Sequence, residues 1–308
     1  MTLQESASPS AALEVTLGPL LYFWPKETVQ SFYRKVCDWP VDRVYLGETV
    51  CSKRRQMSLE DWMAIAESLS AAGKTVVLST LTLLEAASDR SMLRKICSHG
   101  QYEVEANDMA AVQALSELGV NFTTGPQVNI YNAHTLKELV DAGLSRWVLP
   151  LELGEDDFSA ILAQARELNI ADRITTEVFV WGLMPLAASA RCFTARAHDL
   201  PKDQCRFVCL DYPEGLPVYS QEQDRVFTLN GIQTLSGRCL DLTAQVERMV
   251  ELGIKAVRVS PQPEGTLEVL EAIQARLNHQ PAGALEHPAG RCQGYWYGMA
   301  GMIPLATV

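Results

Sequence analysis

The residues best suited to chemistry are three cysteines in one short segment, RCFTARAHDLPKDQCRFVC: Cys192, Cys205 and Cys209. The segment is polar and turn-rich, so it can direct three thiolates toward one point. A point of soft sulfur ligands is a metal or cluster site, and a fourth donor is needed to close it. The fourth place has several candidates. Cys51 lies in GETVCSKRR, Cys292 lies in the C-terminal RCQGYW, and His198 stands between Cys192 and Cys205. Four thiolates suit either a structural zinc or an iron–sulfur cluster, and three thiolates with His198 suit zinc. The spacing matches neither a paired CxxC zinc ribbon nor a ferredoxin run.

Basic residues flank these cysteines. Lys53, Arg54 and Arg55 follow Cys51, and Arg191 and Arg196 bracket Cys192. Guanidinium groups hold carboxylates in a two-pronged fork, so Arg54, Arg191 and Arg196 are candidate substrate contacts for an anion; the plainer reading is a solvated charge run. A second group of polar residues falls at or just after apolar runs: Glu48, Glu105, Asn107, Gln127, Asn129, Glu152 and Glu177. Facing one cavity they can do acid–base work, with Glu177 the chosen substrate contact; otherwise they form a structural ring paired with arginines such as Arg258. Trp181, Tyr295, Trp296 and Tyr297 can wall an apolar pocket or simply pack. No residue is assigned a catalytic role.

The elements that must position these groups follow one repeated pattern. A short apolar run leads into an amphipathic helix, often closed by glycine: DRVYLGE into SLEDWMAIAESLSAAG, KTVVLSTL into EAASDRSMLRKICSHG, QYEVEAND into MAAVQALSELG. Trp62, Ile65, Ala66 and Leu69 share one helical face, as do Phe158, Ile161, Leu162, Ala165 and Leu168. Gly73, Gly119 and Gly143 sit where a helix ends. Strand–helix alternation demands parallel strands with helical crossovers. Seven units before residue 183, plus KAVRVSP with its helix TLEVLEAIQARLN, predict an α/β chain forming a (β/α)8 TIM-like barrel, complete or distorted. A doubly wound sheet is the alternative, but no GxGxxG follows the first strand. The expected organisation is a flexible tail over 1–13, a barrel over 14–278 and a tail over 279–308 that packs on the barrel. An insertion at about 183–245, after strand seven, carries the three cysteines. On this placement Cys51, after strand two, shares their face of the barrel and is the first choice for the fourth ligand; Cys292 is second.

The 308 residues carry a net charge of −11 with 47% hydrophobic residues. That balance argues against a surface built for a nucleic-acid backbone. No apolar run approaches the roughly 18 residues of a membrane span, and no export signal is visible at the N-terminus. Eight cysteines in a long chain of this kind read as reduced thiols in the cytoplasm rather than a disulfide framework.

Taken in order, PKETVQSFY, VYLGETVCSKRR, LSTLTL, ARCFTAR, PKDQC and LNGIQTLSG resemble the ubiquinone-biosynthesis proteins of the collagenase-like peptidase family. The resemblance runs from about residue 16 to the CQGYW tail. It implies a [4Fe–4S] cluster on Cys51, Cys192, Cys205 and Cys209. It also implies a heterodimer with a UbiU-like protein and oxygen-independent hydroxylation of the ubiquinone precursor ring, with prephenate as hydroxyl donor. The complex is then the place where precursor and prephenate bind. The alternative is a zinc-stabilised or electron-transfer scaffold subunit with no substrate site of its own. The sequence contains no HExxH motif and no evident Ser-His-Asp set, so peptidase activity is not expected.

Overall fold

The computed structural model describes residues 13–303; all but the last residue of the predicted N-terminal tail lies outside them. Seven strands, each followed by a helix or a loop, build the wall in chain order. The strands are β1 (Glu14–Leu17), β2 (Arg43–Leu46), β3 (Thr75–Ser79), β4 (Glu103–Ala106), β5 (Phe122–Thr124), β6 (Leu144–Val148) and β7 (Thr175–Ala188). The intervening helices are α1 (Lys26–Val36), α2 (Leu59–Ala71), α3 (Ala87–Cys97), α4 (Met109–Glu117), α5 (Ala133–Asp141) and α6 (Glu155–Glu167). Each strand pairs in parallel with the next.

After β7 the chain leaves the wall. It passes through the short helix α7 (Phe193–Ala197), then β8 (Leu216–Tyr219), β9 (Arg225–Asn230) and β10 (Gln233–Asp241). It returns through α8 (Val246–Glu251), β11 (Ala256–Val259) and α9 (Thr266–Leu277). The strand β11 pairs in parallel with both β1 and β7, which closes an eight-stranded parallel barrel. The predicted (β/α)8 architecture is therefore the fold.

Local chemistry explains the elements. Ser58 caps α2, its hydroxyl accepting from the Asp61 N–H while the Asp61 carboxylate accepts from the Ser58 N–H. Asp108 and Asn132 cap α4 and α5 from one side only, accepting from the Ala110 and Thr135 N–H groups. Inward faces such as Trp62, Ile65, Ala66 and Leu69 of α2 are buried against the wall, as the period predicts.

The 14-residue strand β7 does two jobs. Its first half lies between β6 and β11 in the barrel; its second half, from Trp181, pairs antiparallel with β10. The changeover is at Gly182, where φ is +132° and an added Cβ would lie 2.6 Å from the Ser260 side chain. The strands β10, β9 and β8 continue outward as an antiparallel sheet, and β12 (Arg291–Cys292) adds alongside β10. The TLSG core of β10 reads as polar, yet Thr234 pairs on both sides, with Ala187 and Leu229, and Ser236, opposite Phe227 of β9, is buried together with Gly237.

Candidate metal centre

The loop after β2 is shaped by Glu48. Its carboxylate accepts from the backbone N–H groups of Val50 (2.8 Å) and Cys51 (3.0 Å), fixing where Cys51 begins its turn. A turn from the Arg54 N–H to the Cys51 carbonyl, 2.9 Å, then folds the basic run back on the cysteine. Of that run Arg54 points inward and is buried, whereas Arg55 is exposed. The Arg54 guanidinium donates to the Leu21 carbonyl (2.7 Å) and to Asn230 Oδ1 (2.6 Å), and lies 3.7 Å from the Glu48 carboxylate. It thereby ties the Cys51 loop to the first barrel loop and to the β9–β10 turn.

The same turn holds Cys192. The Gly231 carbonyl accepts from the Phe193 N–H, and the Gly231 N–H donates to Thr194 Oγ1 at 2.9 Å. Cys192 caps α7, its sulfur accepting from the Ala195 N–H at 3.4 Å. Cys205 follows the short 3-10 turn Lys202–Gln204 and Cys209 lies in the next, Val208–Asp211; Arg206 and Phe207 between them both have positive φ (49° and 57°). Consecutive left-handed residues that are not glycine are costly and are retained where the surroundings impose them; here they reverse the chain between two cysteines. Lys53 donates to the Lys202 carbonyl and pairs with Asp203 at 2.7 Å, linking the Cys51 loop to the Cys205 segment.

All four predicted ligands are free thiols and half-buried. Burial pushes the Cys51 thiol upward, opposed by the Lys53 N–H and by Arg54, and a Cys192 thiolate nearby pushes it further. Burial also pushes Cys209 up to about 11, against Arg54, with Cys192 and Cys51 both near enough to add to the rise. Arg54 thus opposes the rise at both Cys51 and Cys209, and Cys205 and Cys51 both raise Lys53. The second-choice ligand Cys292 is elsewhere, buried on β12 beside Cys239. His198 is exposed and bonded to the Tyr212 hydroxyl at 3.0 Å.

A tetrahedral zinc about 2.3 Å from each sulfur holds the sulfurs within about 4 Å of one another. Among the described residues no group of three His, Cys, Asp or Glu side chains stands ready for a single ion. The donor set suits a thiolate-bound group in two respects. The buried Nε–H of Arg54 has no hydrogen-bond partner, and the charge of its guanidinium opposes the burial that raises Cys209. Lys53, Arg54 and the exposed Arg191 and Arg196 place positive charge beside sulfurs that would become anionic.

The acidic candidates inside the barrel form a structural network. Glu177 is fully buried and accepts from Thr16, Tyr45, Arg146 (2.9 Å) and Arg258 (2.6 Å), so neither oxygen is left facing a ligand. Burial alone would raise its pKa, but Arg258 and Arg146 overcome this and hold it at about 2. Glu105 accepts from Ser79 and Arg258, both at 2.6 Å. Glu152 accepts from Tyr131 at the surface, and Asn129 is exposed. Asn107 and Gln127 line the barrel mouth. Trp181 and Trp296 are buried packing residues, while Tyr297 is exposed. The positioning roles of Asn230, Gly231 and Thr194 had no sequence signal beyond the LNG turn.

Residues 29–275 match the family described as Peptidase family U32. The collagenase of Porphyromonas gingivalis is 23% identical over 257 residues, covering 77% of this chain and 61% of that protein. The chain thus spans less than two thirds of that relative's length. Similar solved structures include an uncharacterized Clostridium thermocellum protein that binds two copies of 5-methyl-5,6,7,8-tetrahydrofolic acid. It is 10% identical with a TM-score of 0.46, and the match covers 88% of this chain and 96% of that one. Dihydropteroate synthase from Stenotrophomonas maltophilia is 14% identical with a TM-score of 0.42, covering 86% and 93%. Among the described residues no helix is long and apolar enough to cross a membrane. With four fifths of its length inside the family match, the chain belongs to peptidase family U32.

Proposed function

We propose that this chain is a UbiV-type subunit of an oxygen-independent ubiquinone hydroxylation system. It would hold a [4Fe–4S] cluster on Cys51, Cys192, Cys205 and Cys209 and act in the cytoplasm with a UbiU-like partner, prephenate being the hydroxyl donor. The observation that carries this reading is that the buried Arg54 ties the Cys51 loop to the β9–β10 turn, and that same turn holds the Cys192 segment through Gly231, so half-buried thiols from two distant segments hang on one hydrogen-bonded hub.

When bound, a four-cysteine cluster supplies one-electron transfer or local order, since each iron already has its protein ligand. The protein's own residues do the rest. Glu48 and the Cys51–Arg54 turn orient one ligand, and Asn230 and Gly231 hold the Cys192 segment. Lys53 clamps the Cys205 segment. Arg54 supplies positive charge that favours the Cys51 and Cys209 thiolates. Arg191 and Arg196 stay exposed beside Cys192 and are available to an anionic substrate or to the partner. Hydrolysis of peptides has little support from the histidines: His198 is bonded to Tyr212, His279 to Glu247 and His287 to the Ala289 N–H.

The test is anaerobic complementation. Cells lacking their own copy of such a subunit should make ubiquinone without oxygen when given this chain with a UbiU-like partner. Replacement of Cys51, Cys192, Cys205 or Cys209 by Ala should abolish it. Full anaerobic ubiquinone from the four-cysteine variant, or from the partner without this chain, would refute the proposal.

A further inference from the structure

Between α2 and α3 lies a trough of about 430 Å³. The helices α1 and α2 pack on each other, as do α3 and α4; α2 and α3 stand apart with the trough between them. Its floor includes Leu46 of β2 and Leu78 of β3, register partners in the barrel wall. Trp62 of α2 and Leu93 of α3 line its sides, and Leu81 and Leu84 join them from the loop after β3. Met92, also in the lining, is 41% exposed. Arg55, Ser58, Glu60, Ser88 and Lys95 are exposed along it as well. A small ligand is normally enclosed over most of its surface; this apolar trough is open along its length, the shape of a docking groove.

We propose that the trough docks an amphipathic helix of another protein, its apolar stripe flanked by carboxylates. The floor selects a helix. The strand β2 is paired with β1 and β3, and β3 with β2 and β4, so the wall has no backbone donors or acceptors to spare. An extended segment would leave its own N–H and C=O groups unpaired there, whereas a helix brings them already paired. The length agrees. The α3 side runs from Ser88 to Ile96, about 12 Å or two helical turns, which takes three apolar side chains at helical spacing. Charge selects the flanks. Asp89 is buried and accepts from the Glu85 and Ala86 N–H groups, and Glu48 accepts from those of Val50 and Cys51. The exposed charges of the lining are then the cations Arg55 and Lys95 against the one carboxylate of Glu60. Neither cation has a salt-bridge partner among the described residues. The loop that carries Cys51 contributes Ser52, Arg54 and Arg55 to the lining, so a docked helix would rest on the segment that holds this cysteine. The inference does not depend on a cluster, because no cysteine lines the trough.

The experiment is a fluorescence-anisotropy titration of the purified full chain into a labelled helical peptide with leucines at helical spacing on one face and a glutamate beside each. A second peptide carries lysine in place of glutamate. The glutamate peptide should bind one per chain, and the lysine peptide at least about tenfold more weakly, because it meets Arg55 and Lys95 with like charge. Met92→Glu sets a carboxylate against the leucines, and Lys95→Glu reverses a flanking charge. Each should weaken the glutamate peptide about tenfold or more. Thermal midpoints should not change, since both positions are exposed. The proposal is overturned if the glutamate peptide fails to bind at millimolar chain concentration; uptake of dodecanol in its place would make the trough a hydrocarbon site. It is equally overturned if the two peptides bind alike or if both variants bind like the wild type. A wild type that sediments as a dimer, with Met92→Glu a monomer, overturns it too, because a second copy then fills the trough. A colourless, metal-free chain that binds the peptide fails the cluster reading alone; a brown chain that ignores it fails this one alone.

Discussion

Arg54→Met removes the guanidinium around which the cysteine segments gather while keeping most of the side-chain volume. The cost can be built from the contacts. Asn230 Oδ1 loses its 2.6 Å donor and becomes a buried, unpaired acceptor, about 1–3 kcal/mol. The Leu21 carbonyl keeps a partner, because the Asn230 Nδ2 group still donates to it at 2.8 Å. Glu48 keeps its two backbone donors but loses the positive charge 3.7 Å away, at a position where burial already raises its pKa. Breaking a buried pair from one side costs about 3–5 kcal/mol, and the sum here falls in the same range. That is a large share of the roughly 5–15 kcal/mol that holds a domain folded. The assay is urea unfolding of wild type and variant prepared with equal cofactor content, with the slope expected to be unchanged and the midpoint lowered. Adding Glu48→Gln to Arg54→Met should recover about 1–2 kcal/mol, because the neutral amide needs no counter-charge. A loss below about 1 kcal/mol, or no coupling between the two positions, would refute the claim that Arg54 is the hub of this site.

Two further outcomes follow from other parts of the molecule. Glu177→Gln should cost about 3–5 kcal/mol in thermal or urea unfolding, since Arg258 and Arg146 lose the carboxylate they share. With the Glu177 pKa lowered from 4.5 to about 2, its contribution is present above about pH 4.5 and disappears as pH falls toward 2; the variant's stability curve should therefore be flatter over that window. His287 gives a second window. Its pKa is lowered from 6.5 to about 4 by burial and then by Arg225, and its Nδ1 accepts from the Ala289 N–H, which needs the neutral ring. The unfolded chain takes up this proton first, so stability should fall as pH drops from 6.5 to 4, by an amount that His287→Gln removes. A His287→Gln melting curve with the wild-type slope in that window would contradict the assignment.

The barrel was readable from the sequence because each of its units repeats the same physical signal. A run of β-branched residues is followed by an apolar stripe at helical period, and a glycine such as Gly73, with φ of +82°, ends the helix. The sheet outside the barrel was harder. In β10, Thr234 pairs on both sides and Ser236 and Gly237 are buried, so its polarity hides its place in the sheet. Within the site, Arg54 and Arg55 illustrate the limit most clearly. They are adjacent and chemically alike, yet one is buried and the other exposed. The difference is set by Leu21 and Asn230, which are 33 and 176 residues away. Nothing local in KRR carries that information. Glu177 and Glu105 were legible as acids near the barrel interior, but whether they face a ligand or Arg258 is decided by strand register, which only the closed barrel fixes.

The central claim rests on four sulfurs, and one measurement addresses them directly: the absorption spectrum with iron, sulfide and zinc analysis of anaerobically purified wild type and Cys205→Ala. The account predicts a brown wild type holding iron and acid-labile sulfide in equal amounts, and a Cys205→Ala protein that loses the charge-transfer absorption while keeping its fold. A colourless wild type with one zinc per chain, or a Cys205→Ala protein with an undiminished cluster, would contradict it.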